Sequence, residues 1–253
     1  MAARWPGKIK PGKIVNEFVN LMSLGPTFLE AAGEEPLDNM VDSIMPLFIS
    51  EDEGKDDSGY VVTGRERHST FARTKGLPYP SRAIRTKDFL YIYNFAPDRW
   101  PIGAPNGFED PEFLTDPSEI EDLLAAGFPG RKVSESFADI DNGPTKVWML
   151  ANRDKVNVRP KFDLTFGKRP AKELYDLRVD PHHMNNVASL PDYNDILNKL
   201  HEKLFTVLEE RNDPRVIEGA DCKFDKYPYA GMPDLDWFNE VGNDRVVPPP
   251  IPF

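Results

Sequence analysis

The stretch Gly64-Arg65-Glu66-Arg67-His68 sets two guanidiniums and an imidazole side by side. It follows Tyr60-Val61-Val62-Thr63, an aromatic and β-branched run that reads as a strand. Arginine offers two-pronged, charge-assisted donors to an oxyanion, and histidine changes charge near neutral pH. The set therefore suits an anionic sugar or a sulfate, with His68 the foremost candidate and Arg65 and Arg67 beside it. The plainer alternative is a solvated strand end in which Glu66 offsets one arginine. A second candidate is Asn94–Pro101, NFAPDRWP, directly after strand text. There Arg99 suits an anion and the face of Trp100 suits a sugar ring; a loop packed by its own tryptophan is the equal alternative.

Other polar groups read as structural. Arg82 and Arg85 suit two-pronged pairs that tie a small sheet to a larger body. His182-His183 does not read as a metal site, because adjacent residues rarely chelate one ion and no third ligand is suitably spaced. His201 falls on a helix and reads as a surface or flanking residue, and Lys168-Arg169 as a solvated pair.

The elements that must position these groups are legible from periodicity. Ala83-Ile84 and Phe89–Tyr93 flank the polar bend Thr86-Lys87-Asp88 and predict a hairpin, with a further strand at Glu173–Leu177. A hairpin is marginal alone and needs cover. Asp192–Arg211 supplies it: Ile196, Leu197, Leu200, Leu204, Val207 and Leu208 recur at helical spacing. Met22–Ala32 predicts a helix stopped by Gly33, with Phe28, Leu29 and Ala32 on its apolar face. Ile14-Val15 and Phe18-Val19 predict a short buried strand. Ser118–Ala125 predicts a helix opened by a capping box, and Pro144–Asn152 a helix facing inward through Val147, Leu150 and Ala151. Glu51–Ser58 reads as a solvated acidic loop.

Composition narrows the classes. With 253 residues the chain has room for one large domain or two small ones; it is 40% hydrophobic, and its 25 prolines imply much loop. A net charge of −11 argues against a nucleic-acid or polyanion surface overall and leaves room for a local basic pocket. One cysteine, Cys222, excludes an internal disulfide and a Cys-rich zinc site. No apolar run approaches the roughly 18 residues of a membrane span. Met1-Ala2-Ala3-Arg4 lacks the apolar segment of a signal peptide behind it, and the chain reads as starting inside a domain.

The order SRAIRTKDFLYI (from Ser81), then Glu173-Leu174-Tyr175-Asp176-Leu177, Asp180-Pro181 and Asn185-Asn186-Val187-Ala188, then the long helix, resembles the C-terminal subdomain of a sulfatase. Arg4–Gly12 through Pro26–Gly33 resembles the end of the sulfatases' large α/β domain, although sulfatases generally carry Asp where this chain has Ser23. The likeness runs from about Arg4 to Arg215; Gly64–His68 and NFAPDRWP look most like the N-sulfoglucosamine sulfohydrolase branch. It implies an alkaline phosphatase/sulfatase-like α/β class: residues 1–50 as the end of the large domain, and 51–215 as a small antiparallel sheet packed on a C-terminal helix, with a long insertion near 96–145. Residues 216–253 read as an irregular, Pro-rich tail.

A complete sulfatase uses a formylglycine made from Cys or Ser in a C/S-x-P/A-x-R context, and a calcium held by Asp and Asn oxygens. Neither motif is in this sequence: Cys222 sits in Asp221-Cys222-Lys223-Phe224-Asp225, and Asp56-Asp57 has no strand text before it. The resemblance implies substrate contacts from His68, Arg65, Arg67, Arg99 and Trp100, no catalytic or metal-binding residue here, a sulfated carbohydrate as substrate, and an N-terminal α/β domain that this sequence does not contain. The chain alone is then expected to be inactive. The rival expectation is a non-enzymatic carbohydrate- or protein-binding module derived from the small domain.

Overall fold

Thr86 closes the hairpin at the centre of the molecule. In the computed structural model its Oγ1 accepts from the Phe89 N–H at 3.1 Å and donates to the Phe89 carbonyl at 3.2 Å. This side-chain clasp explains how the bend forms without glycine. The structure describes residues 1–50, 59–68, 72–73, 76–105, 122, 125 and 136–226. Among these, four strands form one sheet: β1 (Tyr60–Arg65), β2 (Ser81–Thr86), β3 (Phe89–Asn94) and β4 (Lys172–Asp176). They lie in sequence order, each antiparallel to the next.

Register decides what the sheet buries. Ile84 opposes Tyr91, and Tyr91 opposes Leu174, so one row crosses three strands on one face. All three are essentially inaccessible. They pack against Leu197, Leu200, Leu204 and Leu208 of the helix Asn194–Glu210, as the helical spacing predicts. Asn186 guards the edge beyond β4: its Oδ1 accepts from the Leu174 N–H at 2.9 Å, and the Val187 N–H reaches the Leu174 carbonyl at 2.8 Å.

A second core joins Phe137 to Val147 and Leu150 of the helix Pro144–Ala151 and to Phe162 and Phe166 of the helix Arg159–Phe166. The first helix was predicted. The second was not, although Pro160 in its first turn and phenylalanines four apart mark it. Phe162 and Phe166 stack with ring centroids 4.8 Å apart.

The N-terminal segment departs from expectation in two ways. The helix Leu24–Ala32 forms and ends at Gly33, whose φ of 83° accommodates a left-handed stop. Its predicted face does not pack: Phe28 is 66% exposed, whereas Pro26 and Thr27 are buried. Thr27 docks the helix, accepting the Ile44 N–H at 2.9 Å just ahead of the short helix Met45–Ile49. Ile14-Val15 and Phe18-Val19 form no strand. A strand needs hydrogen-bonding neighbours, and the described residues offer this segment only side-chain links, such as Asn20 Nδ2 to the Val62 carbonyl at 3.1 Å.

The chain after Asp213 also differs from expectation. Pro214–Ile217, Gly219–Asp221 and Lys223–Lys226 are short helical turns, where the sequence suggested irregular tail from 216. The predicted helix at Ser118–Ala125, apart from Asp122 and Ala125, lies outside the described residues, as do Glu51–Ser58 and the chain beyond Lys226. Among the described residues no helix is long and apolar enough to cross a membrane.

His201, read from the sequence as a surface or flanking residue, is half-buried beside the core. It sits where the long helix meets the sheet, its Nδ1 2.8 Å from the Tyr91 hydroxyl and its ring 4.4 Å from Phe205. Burial holds its pKa below the ordinary value; nearby Lys172 adds to the shift, and Glu202 opposes it. The folded protein therefore resists protonating an imidazole that the unfolded chain protonates at about pH 6.5. The stability this neutral ring contributes is present above that pH and is lost as pH falls toward the folded value. Thermal melts should show Tm dropping as pH is lowered below about 6.5, and His201→Gln should flatten that part of the profile.

Candidate functional site

β1 ends at Arg65, and the chain leaving it carries the charged stretch into two ionic nodes. The first is centred on Asp139, whose carboxylate is fully buried. Arg65 Nη2 donates to its Oδ2 at 2.9 Å, Arg73 Nη2 donates to the same oxygen, and His68 Nδ1 lies 3.7 Å from Oδ1. Arg73 also donates to the carbonyls of Trp100 and Pro101, each at 2.6 Å. Asp139 is held from behind. Its N–H donates to the Ile102 carbonyl at 3.0 Å, and the Phe137 N–H to the Ala104 carbonyl at 2.9 Å. Gly103 permits this close approach: at φ 107°, any Cβ would lie 2.7 Å from the Ala138 nitrogen.

The second node joins the strand end to the chain after the long helix. Arg215, 5% exposed, donates to both oxygens of Glu66, the shortest at 2.6 Å, and to both oxygens of Asp225 at 2.9 and 3.1 Å. Arg82 grips Asp213 with two prongs, at 2.7 and 3.0 Å, and Glu66 at 2.8 Å. Arg82 thus ties the sheet to the segment after the helix, not to a larger body. Gly64 makes room for it, since a Cβ there would lie 2.8 Å from the Arg82 side chain. Among the described residues Arg85 forms no carboxylate pair, and its buried Nη1 has no hydrogen-bond partner there.

The two candidate stretches from the sequence meet here. Arg67 donates to the carbonyls of Gly76 and Phe224. Arg99 donates to the Pro78 carbonyl at 3.0 Å and to Asp225 Oδ1 at 3.1 Å. The Trp100 ring packs edge-on against Phe137, 5.7 Å between centroids, with Lys168 Nζ 5.3 Å from its own centroid. Arg65 and His68 keep 39% and 62% of their side chains exposed, more than Arg73, Arg82, Arg99 or Arg215. His182, His183 and His201 take no part.

Sequence reasoning missed Arg73, Asp139, Asp213, Arg215 and Asp225. Asp213 had a local signal: its side chain caps the next turn by accepting the Arg215 N–H at 2.9 Å, with Pro214 at the first helical position. Asp139, Arg215 and Asp225 are brought to the strand end from far along the chain and had none, and Arg73, though close in sequence, finds its carboxylate 66 residues away.

Burial sets the electrostatics. It pulls the Arg73 guanidinium below its ordinary pKa, against the pull of Asp139. Burial also works against Arg82 and Arg215, but the carboxylates outweigh it and raise both. Asp225 is lowered: burial opposes ionisation, and hydrogen bonds from Arg215 and Arg99 outweigh it. Glu66, Asp139, Asp213 and Asp225 are each engaged by arginine, which does not fit the cage of free oxygens that calcium requires. Cys222 is buried.

No protein-family profile matches the chain. Two ulvan-active sulfatases of Formosa agariphila are similar to it. One is 28% identical over 214 residues, covering 83% of this chain and 33% of the relative; the other is 24% identical over 204 residues, covering 81% and 27%. The chain thus spans about a third of the length of the first. A protein solved in complex with its substrate D-glucosamine-2-N,6-O-disulfate aligns at a TM-score of 0.48 and 18% identity, over 85% of this chain and 29% of that one. The chain is therefore similar in sequence to sulfatases over most of its length.

Asp139 is the most sensitive point of the first node. Asp139→Ala leaves Arg73, only 6% exposed, as a buried charge without its carboxylate. Loss of one partner from a buried pair costs about 3–5 kcal/mol. Urea unfolding should show a loss of that size, against a much smaller one for Arg159→Ala in the exposed Arg159–Asp163 pair.

Proposed function

We propose that this chain is the C-terminal portion of a sulfatase-family hydrolase acting on sulfate esters or N-sulfates of carbohydrates. The observation that carries the reading is similarity across 83% of this chain to an enzyme of which it covers only 33%. In this reading Arg65 and His68 border the substrate cleft and meet the anionic group of the sugar. Asp139 fixes both, while Arg67, held by two carbonyls, anchors the turn between them. The formylglycine nucleophile and calcium belong to the remainder of the protein. The Gly64–His68 and NFAPDRWP stretches favour an N-sulfated glucosamine as substrate; the ulvan-active relatives support sulfated carbohydrate more broadly.

The chain alone should give no turnover of an aryl sulfate or of N-sulfoglucosamine with calcium present. Turnover that survives Cys222→Ala would overturn this, since it would require another nucleophile. Within the complete enzyme, His68→Ala should lower kcat/KM on the order of 10²-fold with Tm unchanged. His201→Ala should instead lower Tm through its lost contact with Tyr91 and leave kcat/KM of the folded enzyme near wild type. Near-wild-type kcat/KM for His68→Ala would reduce Gly64–His68 to a structural strand end. Sugar binding without turnover in every context would favour a non-enzymatic module.

A further inference from the structure

We propose that the cleft between the Asn94–Pro101 loop and the turn Gly219–Asp221 is a carbohydrate subsite for an uncharged, hydroxyl-rich ring, adjoining the anion-facing strand end. The inference rests on the reading of the chain as part of a carbohydrate sulfatase. The cleft measures about 410 Å³, within the range of small-ligand sites. Pro80 and Phe95 give it an apolar side suited to the C–H face of a sugar, and Asp98, Arg99, Arg215 and Asp225 give it a polar one.

Charge decides the class of ligand. Arg99 and Arg215 both already donate to Asp225, and Arg215 is further matched by Glu66. Asp98 adds another negative charge at the exposed rim. A sulfate entering here meets two carboxylates along with the two arginines, and must displace Asp225 to gain a two-pronged contact. A hydroxyl displaces nothing. It donates to Asp98 or to the lone pairs that Asp225 retains, and the ion pairs stay intact. The Arg65–His68 face differs, because there the solvent-facing groups are a guanidinium and an imidazole and the carboxylate is buried beneath them.

The two places are contiguous through Glu66. Its Oε2 lies 2.6 Å from Arg215 Nη2 in the cleft wall, and its chain neighbours are Arg65 and Arg67.

The test is saturation-transfer NMR and titration of this chain with N-acetylglucosamine and with its 6-sulfate. Ala220 lines the cleft with its side exposed, so Ala220→Trp fills the space without touching a core. It should weaken the neutral sugar by about tenfold or more with Tm unchanged. Asp98→Lys should shift preference from the neutral sugar toward the 6-sulfate. No binding of N-acetylglucosamine to the wild-type chain, or equal binding to Ala220→Trp, would overturn the proposal. Arg65→Gln reads the other face. It should weaken the 6-sulfate, and its failure to do so would count against the anion-binding role while leaving the cleft result to stand on the neutral sugar.

Discussion

Arg215 grips Glu66 and Asp225 at once, and the site depends on that double contact. The guanidinium is 5% exposed, and moving such a charge out of water is unfavourable unless its donors are filled. Two carboxylates fill them. Glu66 belongs to the strand end and Asp225 to the last described turn, so the arginine fastens chain separated by well over half the sequence. Arg82 and Asp213 repeat the link one step along, and Asp213 also caps the turn that carries Arg215. The short helical turns after Asp213 are too brief to be stable as helices in water; they persist because these ion pairs fix their ends.

The consequence is a division of labour among arginines. Arg67, Arg73, Arg82, Arg99 and Arg215 are taken up by carbonyls and carboxylates that shape the loops. Arg65 and His68 share Asp139 from the solvent side. A run that looks uniformly basic in sequence is thus sorted by its partners into structural and exposed cations.

The sheet and long helix supply the rigid support. Their shared face is built from the row Ile84, Tyr91 and Leu174 against four leucines, a non-polar contact that leaves the strand ends free for polar work. Within it, Tyr91 and His201 form a polar contact close to the apolar cluster and make that interface sensitive to acid. Phe137 lies two residues before Asp139 and belongs to the second core, so the first node is anchored by packing from Val147, Leu150, Phe162 and Phe166.

The sequence by itself determined the elements whose stability is local or periodic. The aromatic and β-branched run of β3 beside its polar bend, the leucine spacing of the long helix and the glycine stop at Gly33 were each legible, because composition, side-chain period and backbone freedom are properties of short segments. The candidate cluster was half legible: Arg65, Arg67, His68, Arg99 and Trp100 stand out as candidates by type and neighbourhood. What holds them was not. Asp139 lies 74 residues from Arg65, Asp213 lies 131 from Arg82, and Glu66 lies 149 from Arg215. Charge pairing at such separations leaves no spacing to read. The N-terminal strand text failed for a related reason: Ile14-Val15 and Phe18-Val19 have strand composition, but a strand exists only beside another strand, and whether one is present is settled in three dimensions.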